Sequence, residues 1–274
     1  MNRSTRTLSA VVVGYHSREA LGECLRSLRT NGVESMVVVE NSDDDLTGIE
    51  LSGARVVRPG VNLGYGRGVN RGAALVGCEY LIVSNPDVVV HDGAVSALRR
   101  VLDDEPTVGI VGPRIRRTDG TVYPSQRVFP SMWLAAAHAL LAPFWPENPA
   151  TRRYRAPRSD GGVDWVSGAF FVVRRQAFEE VGGFDERYFM FAEDMDLCWR
   201  LQRAGWRVRA SDDAEVTHVE GVSRASAGRR MVIAHHLSAL RFEAQTSTGL
   251  RRVFVPLAAV VLMLRLGVVL LRGT

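Results

Sequence analysis

Two acidic stations, about a hundred residues apart, carry the chemistry that this chain could perform. The first is Ser84-Asn85-Pro86-Asp87, which ends the apolar run Tyr80-Leu81-Ile82-Val83. The second is Phe189-Met190-Phe191-Ala192-Glu193-Asp194-Met195-Asp196. An Asp at the carboxyl end of a buried strand lies where open α/β sheets place ligands. There it can hold a hard cation, Mg²⁺ or Mn²⁺, which offsets charge developing on a diphosphate leaving group. His218 offers a second ligand, of a kind that Mn²⁺ accepts more readily than Mg²⁺. Asp194 opens a helix one turn ahead of the apolar stripe Leu197, Cys198 and Leu201, and from there it can act as a base on an incoming hydroxyl. Glycosyl transfer with inversion needs one such carboxylate, in contrast to the paired acids of a hydrolase. Plainer readings exist for each group. Asn-Pro-Asp is good turn chemistry, acids complement a helix N-terminus, and a lone His is often structural.

Two further segments could meet a nucleotide. Asn62-Leu63-Gly64-Tyr65-Gly66-Arg67-Gly68-Val69-Asn70-Arg71-Gly72 could lay backbone against one, but it lacks the G-x-G-x-x-G order and does not follow the first strand. A dinucleotide fold is therefore disfavoured. Glu40 could accept the N3–H of a pyrimidine base, or could simply begin the turn Glu40-Asn41-Ser42-Asp43.

The elements that must position these groups alternate between strand and helix. Residues 8–14 form an unbroken β-branched run, as in a strand covered on both faces. Ser17 then caps a helix whose apolar residues Leu21, Cys24, Leu25 and Leu28 share one face, and Asn31-Gly32 ends it. Strands at 36–40 and 55–58, a helix over 68–78, a strand at 80–83 and a helix from Asp92 through Leu102 follow. After Pro113 the pattern loosens into a proline-punctuated excursion. Regularity returns over 163–173, then with a helix from Arg174 to Gly182-Gly183 and an acidic helix over 193–204. Strands at 206–210 and 214–217 complete the alternation. Short connections of this kind predict a mostly parallel sheet flanked by helices.

The chain of 274 residues is long enough for one large core, and 46% hydrophobic with 23% charged content excludes disorder. Its three cysteines, Cys24, Cys78 and Cys198, are far apart, each in an expected helix, and read as buried thiols of a reducing compartment. From residue 221 onward there are eight arginines against one acid, Glu243. That balance points to an anionic neighbour, nucleic acid or phospholipid. The arginines surround apolar residues and not base-stacking aromatics, which disfavours nucleic acid. Residues 253–271 are almost wholly apolar apart from Pro256 and Arg265, close to the ~20 residues a spanning helix needs. Arg251-Arg252 before the stretch and Arg272 after it favour a helix lying in a cytoplasmic lipid surface.

Taken in order, Val11-Val12-Val13-Gly14-Tyr15-His16-Ser17, Glu40-Asn41-Ser42, the 62–72 segment, Asn85-Pro86-Asp87 and Glu193-Asp194-Met195-Asp196 resemble the motifs of the inverting GT-A glycosyltransferases of family two. The likeness covers about residues 8–245. Within the family, Gly112-Pro113-Arg114-Ile115, Asp119-Gly120-Thr121-Val122-Tyr123-Pro124-Ser125, residues 143–149 and residues 182–190 are similar to actinobacterial rhamnosyltransferases. Those enzymes move L-rhamnose from dTDP-rhamnose to the 3-hydroxyl of N-acetylglucosamine on decaprenyl diphosphate, making the linker between arabinogalactan and peptidoglycan.

The resemblance implies a GT-A domain over residues 1–225, with a nucleotide-binding half (1–112) and an acceptor half (113–225), followed by a helical membrane-associating segment (226–274). It implies that Asp87 and His218 contact Mg²⁺ or Mn²⁺ with the donor diphosphate, and that Asp194 is the base. Tyr15, Glu40, Asn62, Gly64, Asn70 and Asn85 would hold the nucleotide-sugar. Trp165, Gly168, Glu193 and Asp196 would shape the acceptor side, and His235, in the pair His235-His236, would meet the lipid diphosphate. The partners implied are dTDP-rhamnose, a polyprenyl-diphospho-N-acetylglucosamine and the cytoplasmic membrane face. Two departures stand out: position 40 is Glu where the family usually has Asp, and the metal motif is Asn-Pro-Asp and not Asp-x-Asp. Competing readings are a family-two transferase using a UDP- or GDP-sugar, and a non-catalytic membrane scaffold that retains the fold.

Overall fold

A computed structural model describes residues 7–129, 141, 145–155, 163–219 and 228–272. Parts of the 143–149 segment, Pro157 and the junction at 225–226 lie outside the described residues. The chain opens with β1 (Leu8–Gly14), α1 (Arg18–Thr30), β2 (Ser35–Glu40), β3 (Arg55–Val57), α2 (Tyr65–Ala73) and β4 (Tyr80–Ser84). It continues with β5 (Val88–Val90), α3 (Ala94–Asp104), β6 (Val108–Arg116), β7 (Val122–Tyr123), β8 (Gln126–Arg127) and α4 (Pro149–Arg155). Then come β9 (Trp165–Val166), β10 (Phe170–Arg174), α5 (Arg175–Glu180), α6 (Glu193–Arg203) and β11 (Arg207–His218). The C-terminal part is α7 (Gly228–Thr246), a 3₁₀ turn (Gly249–Phe254) and α8 (Val255–Arg272).

The valine runs form strands because both sheet faces are covered. Ala10 and Val12 of β1 pack with Leu21, Cys24, Leu25 and Leu28 of α1 and with Leu98 and Leu102 of α3. Val11 and Val13 face the other way, onto Tyr65 and Val69 of α2, Phe178 of α5, and Leu197 and Leu201 of α6. Each side chain fully buried in this way contributes ~1.5–3 kcal/mol. The sheet runs β3-β2-β1-β4-β10-β6-β11-β5, with β7 paired to β6. β1, β2, β3 and β4 are mutually parallel, as are β6 and β11.

Strand–helix alternation hides two reversals. β10 runs antiparallel between β4 and β6, arriving from the antiparallel pair β8–β9 and not by a helical crossover. β5 lies at the far edge, antiparallel to the end of β11. The expected strands at 206–210 and 214–217 are one strand, β11, with an irregularity between Ser211 and Glu215. The stretch at 163–173 is divided into β9 and β10 by the turn at Gly168-Ala169. α2 is three residues earlier than its periodicity suggested and leaves Cys78 beyond its end. Ser17 sits at the N-cap of α1 without a side-chain cap bond, and Gly93 with positive φ, not Asp92, precedes α3.

The C-terminal segment has two characters. α7 buries His236, Ser238 and Phe242 against the body of the protein, with the Phe242 ring 5.8 Å from Phe129. α8 and the turn before it bury almost nothing. Within Gly249–Leu270 an 18-residue window reaches a mean hydropathy of 2.6, and Leu250, Val253, Leu257, Val260, Leu264 and Val268 are all exposed.

Candidate active site

The first acidic station is built by strand pairing. β4 ends at Ser84, and the Asn85 backbone N–H donates to Ala169 O at 2.8 Å. The chain then turns through Pro86 into β5, whose pairing with β11 sets Val88 opposite His218. Asp87 Oδ1 consequently lies 3.0 Å from His218 Nε2, and Asn85 Nδ2 lies 3.3 Å from the same nitrogen. Asp87 is 6% exposed, and the edge of Tyr123 closes the other side of the imidazole at 6.3 Å between centroids.

A carboxylate oxygen and an imidazole nitrogen both carry lone pairs, so a proton or a cation has to lie between them at this separation. Neighbouring ligands of an octahedral Mg²⁺ with bonds of ~2.1 Å are themselves about 3 Å apart. The pair therefore fits a hard divalent ion with one oxygen and one nitrogen ligand from the protein. Elsewhere among the described residues, His16, Asp43 and Asp44 form the one three-membered cluster of potential ligands; it is largely exposed and already closed by the His16–Asp44 contact of 2.9 Å.

The second station rests on an unusual stretch of backbone. Phe191 (φ 69°) and Ala192 (φ 60°), both non-glycine, take left-handed conformations just before α6. Each costs ~1–3 kcal/mol and persists only where its surroundings hold it. Tyr65 N–H donates to Phe189 O at 3.0 Å, and Ser238 Oγ on α7 donates to Met190 O at 2.8 Å. The loop so held delivers Asp194, whose Oδ2 accepts the Gly168 N–H at 2.7 Å and whose Oδ1 accepts the Met195 N–H at 2.8 Å. The buried Tyr65 hydroxyl donates to Gly168 O. Thus Gly168 grips Asp194 while its neighbour Ala169 holds Asn85. The two acidic stations meet across that one peptide step.

Burial shapes the electrostatics. Desolvation, followed by the Asp194 charge, pushes Glu193 up to about 8, and its Oε2 is buried without a hydrogen-bond partner among the described residues. Asp194 is also raised by desolvation, opposed by the N–H groups of Gly168 and Met195 and by the Arg127 charge. A carboxylate displaced toward neutrality is a stronger proton acceptor than an ordinary one. Tyr65 is held well above the usual phenol range by burial and then by Glu193 and Asp194, so it keeps the proton that it donates to Gly168.

The sequence profile of the family described as "Glycosyltransferase like family 2" matches residues 5–233. The chain belongs to that family. It is a glycosyltransferase with the GT-A fold. Over 265 residues it is 39% identical to the N-acetylglucosaminyl-diphospho-decaprenol L-rhamnosyltransferase of Mycobacterium tuberculosis, covering 89% of this chain and 86% of that one. It is 26% identical over 210 residues to rhamnosyltransferase WbbL of Escherichia coli K12, covering 72% of this chain and 78% of the relative. A solved mannosyltransferase of Pyrobaculum calidifontis, in complex with GDP-Man and Mn²⁺, superposes with a TM-score of 0.58 at 14% identity. That alignment covers 99% of this glycosyltransferase and 77% of the solved chain, and at such identity it speaks to the fold alone.

The other residues expected in the glycosyltransferase site are held within the chain in several ways. Tyr15 lies against His16 with the rings tilted by 55°, at 4.4 Å between centroids, beyond the end of β1. Glu40 is buried, with Oε1 accepting the Ser42 N–H at 2.9 Å; its Oε2 has no partner among the described residues. The glycines of the 62–72 segment serve packing. A Cβ on Gly72 would lie 2.5 Å from Val11 Cγ1 and one on Gly68 2.9 Å from Val13 Cγ1, so these residues let α2 press onto β1. Gly64 abuts Phe189 O, Asn62 Oδ1 closes a turn onto the Gly64 N–H, and the Asn70 amide exchanges two 2.9 Å bonds with the Phe184 backbone. Asn62, Gly64 and Asn70 thus all have partners inside the chain.

Asp196 likewise has its partners inside the chain. It is fully buried and accepts hydrogen bonds from Arg200 Nε at 2.7 Å and Gln245 Nε2 at 2.6 Å, tying α6 to α7. Trp165 is 9% exposed and donates to Val128 O. His235 stands exposed on α7, edge-on at 5.3 Å to Phe191 of the loop that delivers Asp194. Sequence reasoning missed Tyr65 as the clamp on Gly168. It lies within the glycine-rich segment, and nothing in its spacing marks a partner about a hundred residues away.

Proposed function

We propose that this glycosyltransferase moves L-rhamnose from dTDP-rhamnose, with inversion, to the 3-hydroxyl of N-acetylglucosamine on a polyprenyl diphosphate. The product would be the linker between arabinogalactan and peptidoglycan. The observation that carries this reading is the meeting of Asp194 with the Asp87–His218 pair at Gly168-Ala169. The likeness to the mycobacterial rhamnosyltransferase supports the choice of sugar and acceptor.

In this reading Asp194 takes the proton of the 3-hydroxyl as that oxygen attacks the anomeric carbon. The new C–O bond forms on the face opposite the diphosphate, whose bond to the sugar breaks, and dTDP departs with the electron pair. The N–H groups of Gly168 and Met195 keep the Asp194 oxygens aimed, and burial favours proton uptake. Asp87 and His218 hold Mg²⁺ or Mn²⁺, which when bound offsets the charge gathering on the departing diphosphate. Asn85 orients the His218 ring. Tyr15 and Glu40 bound the nucleotide side; Trp165, Gly168 and Glu193 bound the acceptor side. Residues 1–225 make the catalytic domain in this proposal. The basic, apolar residues 226–274 hold it on the cytoplasmic face of the membrane, where a polyprenyl acceptor resides.

The test is transfer by the full chain from dTDP-rhamnose to a short-chain lipid diphospho-N-acetylglucosamine, with Mg²⁺ or Mn²⁺, beside a panel of UDP- and GDP-sugars. Rhamnosylated lipid formed only from dTDP-rhamnose supports the proposal. Transfer confined to another donor overturns the sugar assignment, and no transfer from any donor favours a scaffold.

A further inference from the structure

Facing both stations, the β8–β9 pair carries a cation that the mechanism above does not use. Arg127 is in register with Trp165 and donates its Nε–H to Pro124 O. Its guanidinium lies 5.8 Å from the centroid of the Tyr123 ring and 5.4 Å from that of Trp165. These two rings belong to different halves of the site. Tyr123 packs edge-on to His218, whereas Trp165 leads through Val166 and Ser167 to Gly168, which holds Asp194. The Arg127 charge is felt at Asp194 itself. Among the described residues, no carboxylate forms an ion pair with Arg127, and its two terminal nitrogens have no hydrogen-bond partner.

Other arginines of this chain behave differently: Arg116, Arg175, Arg200 and Arg207 each close on a carboxylate within 2.9 Å. Arg127 is instead oriented by aromatic faces and a backbone carbonyl, with its fork of N–H donors left for something else. A guanidinium with its fork unengaged suits bidentate binding of phosphate oxygens. We propose that Arg127 binds a diphosphate group in the cleft, the anion that donor and lipid-linked acceptor both bring. The inference rests on the reading of the previous subsection for its substrates, but not for its chemistry.

The experiment uses the full chain and the variants Arg127→Gln and Arg127→Lys. Titration calorimetry with inorganic diphosphate reads the proposal without any transfer. Loss of one bidentate charge-assisted contact should weaken binding about ten- to a hundredfold in Arg127→Gln. Arg127→Lys, which keeps the charge without the fork, should fall between. Two further arms identify the source. A comparable loss in dTDP affinity, in the presence of Mn²⁺, assigns Arg127 to the donor. A rise in KM for lipid diphospho-N-acetylglucosamine, with the rate on an uncharged alkyl N-acetylglucosaminide unchanged, assigns it to the acceptor. The proposal is overturned if Arg127→Gln matches the wild type for inorganic diphosphate, dTDP and the diphospho-acceptor alike. It is also overturned if kcat falls equally on both acceptors while every affinity stays the same. A wild type that binds diphosphate through Arg127 but transfers no rhamnose would refute the substrate reading and leave this one standing.

Discussion

Replacing Asp194 by Asn separates chemistry from stability at this site. The change preserves volume and allows the amide oxygen to keep the 2.7 Å bond from the Gly168 N–H. The amide nitrogen then confronts the Met195 N–H, a donor against a donor, in place of a 2.8 Å hydrogen bond. Losing that bond costs ~1–3 kcal/mol. An opposing effect comes from removing a buried charge beside Glu193, whose carboxyl then returns part of the way from about 8 toward its ordinary range. Both carboxyls are raised by folding, so the stability they contribute is present in acid, below their unfolded values, and is lost as pH rises through the folded ones. The cost of Asp194→Asn should accordingly be greatest near pH 4 and shrink toward pH 8, leaving a net change within ~2 kcal/mol at neutrality. Catalysis has no such compensation. Loss of a general base lowers the rate by ~10²–10⁴-fold, or ~2.7–5.4 kcal/mol of barrier. The assays are single-turnover rhamnosyl transfer and thermal unfolding, each followed across pH 5–9. Turnover within tenfold of the wild type would refute the assignment of the base. A collapse of Tm in step with activity would move Asp194 from chemistry to structure.

Other outcomes follow from the same geometry. Asp87→Ala and His218→Ala should each abolish the strengthening of dTDP binding by Mn²⁺, measured by calorimetry; an undiminished metal effect in both would remove the pair as ligands. Glu193→Gln should flatten the decline in Tm that the wild type shows between pH 4.5 and about 8, because it deletes the carboxyl whose ionisation burial resists. An unchanged slope in thermal scans would contradict the burial argument. The double variant Leu257→Glu with Leu264→Glu alters residues that are 54% and 67% exposed, so folding should be untouched. Its sedimentation with anionic phospholipid vesicles should drop at least a hundredfold, on the basis of ~1.5–3 kcal/mol for each leucine buried in lipid. Equal sedimentation would exclude that face as the lipid contact.

Much of the fold is legible along the chain because partition between water and core leaves a local period. The valine runs of β1 and β2, the α1 stripe and the apolar C-terminal helix all follow from residue type and spacing alone. So does the presence of acids at Asp87 and Asp194. Their partners do not. Asp87 meets His218 across 131 positions because β5 pairs antiparallel with β11, and nothing local in Val88-Val89-Val90 specifies that edge or that register. In the glycine-rich segment, glycine signals close approach without saying what approaches; at Gly72 and Gly68 it is Val11 and Val13. The resemblance alone drew attention to Asp196; its partners Arg200 and Gln245 come from the packing of two helices, since two residues along a helix turn a side chain by about 200° from Asp194. Arg127 sat unremarked in the excursion until β8 paired with β9. By itself the sequence determined which residues are buried and which chemical groups are available. Only the tertiary structure decided which of them share a cleft, since that depends on strand order and register, set by the closing of long loops and by packing on both faces of the sheet.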